Sequence, residues 1–393
     1  MSWPIPTLAT IERPQPVSAR VWLPALLVVA AATAAAVLTM WPHDRSTHTT
    51  AFWALLIGAP VCACGLLFGW RLNAWEQQQL IAEESEREKQ RLESLWRDWC
   101  RRCLPVVHAA AFLPRSIDAA SLRDRDAMLP VNTNRATGFD WAKGKTAAER
   151  RSALLARIAA RFEDRLSACR EFTLTLILDE ASLAEEAAWQ AEARRMFERT
   201  VPGVEFEVDM ATATDCAEWI EQYIDVDELP ARLIVAAQLW SGDGGQAFSE
   251  GAAAILFGSR ANGYGREGAP IAPAAGYVLR PMTTGDETLK ADLAQLMEMQ
   301  LTTERLTHVW FTGCGDAFEV ATTASLSSPE TRIVERLVDS FIGLPGPVSG
   351  WIALSLALEA GESIRDSQLI ACRQAGAQPA RLCVVAPGEF EDN

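Results

Sequence analysis

SEGAAAILFGSRANGYGREGAPIAPAAGYVL, residues 249–279, holds the choice between two α/β architectures. Gly263, Gly265 and Gly268 spell G-x-G-x-x-G behind the apolar run AAILFGS. A dinucleotide site needs a helix opening at the last of these glycines, so that its N-terminal N–H groups meet the pyrophosphate. Here APIAPAAG follows, and its two prolines and small residues do not form a helix. The stretch therefore reads as two strands, GAAAILFGSR (251–260) and AGYVLRPM (275–282), joined by a loop. SGDGGQ (241–246) is a turn before the first of them. No cofactor is expected.

Working outward, strands alternate with helices. Before the loop come LPVVHAAAFL (104–113), FTLTLILDE (172–180), VEFEVDMA (204–211) and ARLIVAAQL (231–239), all strand-like. Helical spacing occupies 139–166, 182–200 and 216–224, with Ser182 and Glu185 forming a capping box. After the loop the order is a helix over 288–300, the strand LTHVWFTG (306–313), PETRIVERLVDSFI (329–342) as a helix, a helix over 350–363, and the strand ARLCVVAPGE (380–389). This alternation predicts a layered α/β domain over 104–393 with a buried sheet, with halves at 104–215 and 216–393. No short-period repeat is visible.

The N-terminal part differs. VWLPALLVVAAATAAAVLTMW (21–41) and FWALLIGAPVCACGLLFGW (52–70) contain no charge, and Trp22, Trp41, Trp53 and Trp70 stand at their ends. About 20 apolar residues span the hydrocarbon core, and Trp favours its interfaces. The short polar PHDRSTHTTA (42–51) makes them a hairpin in the lipid bilayer. Arg71, Arg87, Lys89 and Arg91 follow the second span, whereas the hairpin loop holds only Arg45. The basic excess places both termini in the cytoplasm. Buried core helices and a cleaved signal peptide are the competing readings. After a tail over 1–20 and the hairpin over 21–72, residues 73–103 read as a helical neck, a short coiled-coil stalk or a solvated linker, ended by Pro105.

The chain carries 51 acidic and 36 basic residues, a net charge of −15, which disfavours nucleic acid as a partner. Its nine cysteines show no disulfide spacing and suit a reducing compartment. Cys100 and Cys103, in WCRRC, read as incidental cysteines one helical turn apart, because no second pair completes a zinc site. The four histidines, His43, His48, His108 and His308, have no metal spacing, and no G-x-S-x-G elbow occurs.

Four segments carry a resemblance to the thiolase-like superfamily, specifically the C-terminal part of a β-ketoacyl synthase. DCAEWIEQYIDVDELPARLIVAAQLW (215–240) is similar to that family's nucleophile helix and following strand. Residues 249–279 resemble its E-G-A hairpin. VWFTGCGD (309–316) falls where the family has V-n-a-H-G-T-G-T, and GLPGPVSG (343–350) where it has G-H-x-x-A-A-A-G. The resemblance implies two similar mixed-sheet layers around buried helices, with Thr312 and Leu344 approaching each other near the start of the 216–224 helix. It also implies that Thr312 and Leu344 replace the two catalytic histidines. Leucine neither donates a hydrogen bond nor moves a proton. Cys216 lies near the nucleophile position, flanked by Asp215 and Glu218, whose charge would disfavour a thiolate. Cys314 lies in the first histidine motif. Both cysteines read as packed apolar side chains, and they are the catalytic candidates only if the domain is active.

The two-span anchor, the stalk and the α/β domain together resemble the bacterial membrane adaptors of type VI secretion lipase effectors. That implies an inner-membrane location and a protein partner, a secretion effector or an apparatus component. The leading reading is therefore a catalytically inactive thiolase-like binding module, an adaptor or chaperone. The alternatives are an acyltransferase using Cys216 and a structural subunit of a membrane complex.

Overall fold

A computed structural model of the chain describes residues 3–6, 13–42, 46–115, 117, 119–124, 126–211, 215–242, 246–259, 274–301, 305–327, 333–374 and 379–388. It divides into two units. One is Ile5–Trp96, and the other is Met1–Pro4 with Arg97–Asn393.

In the first unit, helix α1 (Ala19–Met40) and helix α2 (Thr50–Arg101) pack antiparallel. Trp22 meets Phe68 at 6.4 Å and Trp41 meets Phe52 at 5.1 Å, and the Cys64 thiol donates to the Leu26 carbonyl at 3.4 Å. Both helices are long and apolar enough to cross a membrane, and their apolar windows are 0 % and 6 % buried. Core helices of a soluble fold would be covered, so the buried-core reading does not describe them. The neck is the continuation of α2 and carries exposed ion pairs such as Arg91–Glu88 and Lys89–Glu93. Such pairs contribute little each and keep the helix solvated.

The helix stops at Arg101, before Pro105. Strand β1 (Cys103–Phe112) already contains that proline. Pro105 lies opposite Tyr277, next to the irregular register at Val106/His108, where a missing N–H costs no ladder bond. Cys100 is therefore on the helix and Cys103 on the strand. They are not one turn apart on a helix.

The second unit continues with α3 (Ala119–Arg123), a 3₁₀ turn at Asp140–Ala142, α4 (Ala147–Ser167), β2 (Glu171–Leu178), α5 (Glu180–Leu183), α6 (Glu186–Thr200), β3 (Glu205–Met210), α7 (Cys216–Tyr223), β4 (Arg232–Gln238) and β5 (Gly251–Phe257). Then follow β6 (Gly276–Leu279), β7 (Met282–Thr284), α8 (Leu289–Gln300), β8 (Leu306–Thr312), α9 (Asp316–Leu326), β9 (Val334–Leu337), α10 (Val338–Ile342), α11 (Ser349–Gly361), β10 (Ser367–Cys372) and β11 (Ala380–Pro387).

Across the sheet the strand order is β3-β2-β4-β5-β1-β6-β11-β10-β8-β9, with β7 also on β11. It reads alike from both ends. In each half the second strand is parallel to the third and fourth, and the fifth is antiparallel to its neighbours. The unit is thus two repeats of one topology, β1–β5 and β6–β11, meeting at the antiparallel pair β1–β6. The expected halves at 215/216 would cut the first repeat before α7.

The last helices of the repeats, α7 and α11, lie in the shared core. That core joins Ile234, Ile255 and Trp219 of the first repeat to Trp310, Ile370 and Trp351 of the second. Helix α11 is buried almost all round, which only a helix sandwiched between layers can be. A second core lies between the opposite sheet face of the first repeat and α4 and α6, around Phe162, Phe172 and Phe197. This is the mixed α/β layering that the sequence predicts.

Several local expectations change. Asp179 caps α5 through the Ser182 N–H at 3.1 Å, so Ser182 lies inside that helix and does not cap α6. The 139–166 helix begins at Ala147, where Thr146 and Glu149 form the capping box. PETRIVERLVDSFI is not one helix. Of its described residues, Val334–Leu337 form β9 and Val338–Ile342 form α10. Parallel pairing to β8 and the buried Arg336, bonded to the Leu122 and Asp124 carbonyls at 2.7 and 2.6 Å, override the helical spacing. Helix α9 and strand β10 escaped sequence reading. The G-x-G-x-x-G segment lies outside the described residues.

At the junction after α2, Trp3 is 6 % exposed. Its indole N–H donates to the Pro281 carbonyl at 3.1 Å, and its ring stands edge-on to Trp99. The Arg280 guanidinium lies 3.9 Å over the Trp99 ring and pairs with Asp225.

Candidate functional site

Strand β8 is parallel to β9 and β10, so their carboxyl ends open on one side, where α/β folds place their ligands. Thr312 ends β8, and Asp339 follows β9 by two residues. The Thr312 hydroxyl donates to Asp339 Oδ1 at 2.8 Å, and the Gly313 N–H donates to Oδ2 at 2.7 Å. Gly313 has φ +66°, and a Cβ there would strike the Arg373 carbonyl, so only glycine fits.

The result is a cleft of about 320 Å³, lined among others by Gly313, Cys314, Asp316, Glu319, Asp339 and Leu344. Burial pushes the Asp339 carboxyl up, against the pull of its two hydrogen bonds. Glu319 is pushed up to about 7, first by burial and then by the charges of Asp316, Asp339 and Glu335. The Cys314 thiol is pushed far up by burial, with further contributions from Cys372 and Glu319. It donates to the Ala371 carbonyl at 3.5 Å. The cleft is thus acidic, and its thiol keeps its proton.

Leu344 is placed by its backbone, which donates to the Arg135 carbonyl at 3.2 Å and accepts from the Ser249 N–H at 2.9 Å. Gly313, next to Thr312, and Leu344 thus line one cleft.

Cys216 is not among the residues that line the cleft. It is the first residue of α7 and is buried. Asp215 is not a bare acid beside it. Its side chain caps the Ala217 N–H at 2.9 Å and pairs with Arg381 at 3.0 Å. The neighbour of the Cys216 thiol is Cys372, at the end of β10, which the sequence reading did not single out. The Cys372 thiol is pushed well above its ordinary range, first by its hydrogen bond with Cys216 and then by burial. Only the duplicated strand order, invisible as a sequence repeat, would have pointed from one to the other. Among the described residues no His, Cys, Asp and Glu group as a metal site.

No family model matches the sequence, and no curated protein matches it. Solved structures do resemble it. A type II polyketide synthase acyl-carrier protein in complex with its ketosynthase bound to the hexaketide aligns at a TM-score of 0.46 and 15 % identity, covering 73 % of this chain and 100 % of that one. The ishigamide ketosynthase/chain length factor aligns at 0.47 and 12 %, covering 72 % and 99 %. The peroxisomal 3-ketoacyl-CoA thiolase of Saccharomyces cerevisiae, described as two core domains of identical topology, aligns at 0.44 and 10 %, covering 73 % and 98 %. The duplicated strand order on its own gives this chain a layered mixed α/β fold built of two repeats.

Proposed function

We propose that this chain is a catalytically inactive thiolase-like binding module carried on a two-helix membrane anchor. One observation carries the reading. The Thr312 hydroxyl and the Gly313 N–H, two donors at the carboxyl end of β8, are both engaged by the Asp339 carboxylate. An acyl-transfer site must offer free donors to the negative charge that develops on the thioester oxygen. Here that place holds a carboxylate, with Asp316 and Glu319 beside it, and Leu344 supplies no proton transfer. Losing one oxyanion donor typically costs about a hundred- to a thousandfold in rate, and losing the acid–base group costs a similar factor. A negative cleft also repels the phosphates of coenzyme A and carrier-protein thioesters.

In this reading the soluble unit holds a protein partner, and the hairpin keeps it at an inner membrane, with both chain ends cytoplasmic as the arginine distribution implies. The partner class is a secretion effector, on the adaptor-like build of anchor, stalk and α/β domain. A second reading, an acyltransferase using Cys216, draws on that thiol's place at the start of α7 beside a second thiol.

The test is intact mass spectrometry of the detergent-solubilised chain after incubation with acyl-coenzyme A and acyl carrier protein. No adduct is expected on Cys216, and Cys216→Ala should keep biological function. An adduct there, with loss of function in the alanine variant, would replace the first reading by the second. A pull-down from detergent should recover a secretion effector or apparatus component.

A further inference from the structure

Among the described residues of the second unit, the three most exposed large apolar side chains are Met128, Val131 and Val320, at 98, 81 and 68 %. All three border the cleft. Val320 follows Glu319 on α9, and with Asp316 it falls at i, i+3 and i+4 of one helix face. Met128 and Val131 belong to a strap that runs beside β9 and α10. At one end of the strap, Arg336 of β9 donates to the Leu122 and Asp124 carbonyls. At the other end, the Asn132 N–H donates to the Ser340 carbonyl at 2.7 Å, and Asn132 Nδ2 donates to the Phe341 carbonyl at 2.6 Å. The next two residues, Thr133 and Asn134, line the cleft, and so do Leu337 and Leu344. A strap pinned at both ends thus holds two apolar side chains out in water beside a cavity, where a folded chain gains nothing from them. Exposed apolar side chains gathered at one concave place mark a surface that another molecule covers.

We propose that this rim and the cleft are the docking site for a basic, apolar segment of a protein partner. An arginine or lysine of that segment enters the cleft, and its apolar neighbours lie on Met128, Val131 and Val320. Charge complementarity selects this occupant. Asp316, Glu319 and Asp339 line the cleft, and no lysine or arginine is among the described residues that line it. The charges of the strap, Arg123, Asp124, Arg125, Asp126 and Arg135, nearly cancel, so the sign of the site is set by the cleft.

The competing occupants fit less well. A small cation would use the carboxylates and leave the apolar rim in water. Anionic lipid and nucleic acid meet the same sign of charge, and so does a second copy of a chain whose net charge is −15. The pairing of one charged anchor in a cavity with apolar contacts around it is the usual division of labour at a protein interface. Because the strap is already held in place, little of its freedom is lost on docking. This inference rests on the binding reading above and names the chemistry of the partner's contact.

The experiment uses the full chain in phosphatidylcholine nanodiscs, with the signal of empty discs subtracted. The probe is a short fluorescein-labelled peptide of arginines and leucines. Two companion peptides carry glutamate for arginine or serine for leucine. Anisotropy titration should show binding of the probe, about tenfold weaker binding of the serine peptide and none of the glutamate peptide. Asp316→Asn/Glu319→Gln and Met128→Ser/Val131→Ser should each weaken the probe about tenfold, whereas Glu163→Gln/Asp164→Asn, exposed acids on α4, should not. A benzophenone at the centre of the probe should link to 128–134, 313–320 or 337–345 of the unaltered chain, so a variant that fails to fold leaves the test intact. Equal affinity across the variants, equal binding of the glutamate peptide, or links elsewhere would overturn the proposal. So would self-association that the cleft changes abolish, which would give the surface to a second copy. No peptide binding and no acyl adduct on Cys216 would remove this site alone, whereas an adduct with loss of function in Cys216→Ala would remove the binding reading and the site with it.

Discussion

The two repeats share a strand order, and one buried carboxylate in each, Glu250 and Asp339, is answered in an opposite way. In the first, Glu250 is fully buried and fully answered. Arg150 Nη1 donates to it at 2.8 Å, and the Phe139 and Trp240 N–H groups donate at 2.8 and 3.1 Å. It ties the loop before α4 to the start of β5. In the second, Asp339 accepts two neutral donors, and the other charges that act on the neighbouring Glu319 are all carboxylates. Glu250 closes a fold with its opposite charge, whereas Asp316, Glu319 and Asp339 accumulate charge around a cleft. A scaffold has no use for the second arrangement, so the cleft is where a ligand or partner is to be sought.

The hardest blow to this contrast would be a mild effect at Arg150. Arg150→Met strands a buried carboxylate, and removing one partner of a buried pair costs about 3–5 kcal/mol. Urea unfolding of the full chain in detergent should show the loss, and the double change Arg150→Met/Glu250→Leu should recover much of it. A loss below about 1 kcal/mol, the size of an exposed pair, would mean that the two repeats do not differ as described.

Gly313→Ala sharpens the other side. At φ +66°, with the Arg373 carbonyl in the way, alanine should cost about 1–3 kcal/mol and free the Gly313 N–H from Asp339. Denaturant midpoints and amide exchange at Gly313 would show whether that bond holds the cleft together.

The smallest effect is the most specific. Glu319 holds its proton up to about 7 in the fold and to 4.5 ordinarily. The folded state therefore binds more protons between those values, and its stability falls as pH rises through that window. Glu319→Gln should leave stability unchanged near pH 4.5 and raise it above pH 7. The gain should be under about 1 kcal/mol, because solvent screens a group this exposed. His108 and His308, whose imidazoles are held neutral by burial, act in the opposite sense below 6.5, so the difference between variant and wild type is the quantity to follow. A flat difference across pH 5–8 would remove the charge accumulation argued here.

Reading the chain alone found what local pattern encodes. The runs in β4 and β5, the charge-free helices and the segments that bring Thr312 and Leu344 to one cleft are all legible as short stretches. What it missed depends on distant partners. VERL is a strand because β8 lies beside it, although its spacing suits a helix. Asp339 does lie in a helix, α10, but its bonds to Thr312 and Gly313 join it to a segment distant in the chain. Cys372 gains its meaning from Cys216, which is far away in the chain. The duplication itself left no residue-level trace, because each repeat fills the same positions with different side chains.

Trp3 has a consequence of another kind. Its indole is held by the Pro281 carbonyl and the Trp99 ring, so the stretch from residue 4 to residue 98 is a loop with both ends fastened to one body. Trp3→Ala should therefore loosen two distant parts of the chain at once, the N-terminal stretch and the end of α2 at Trp99.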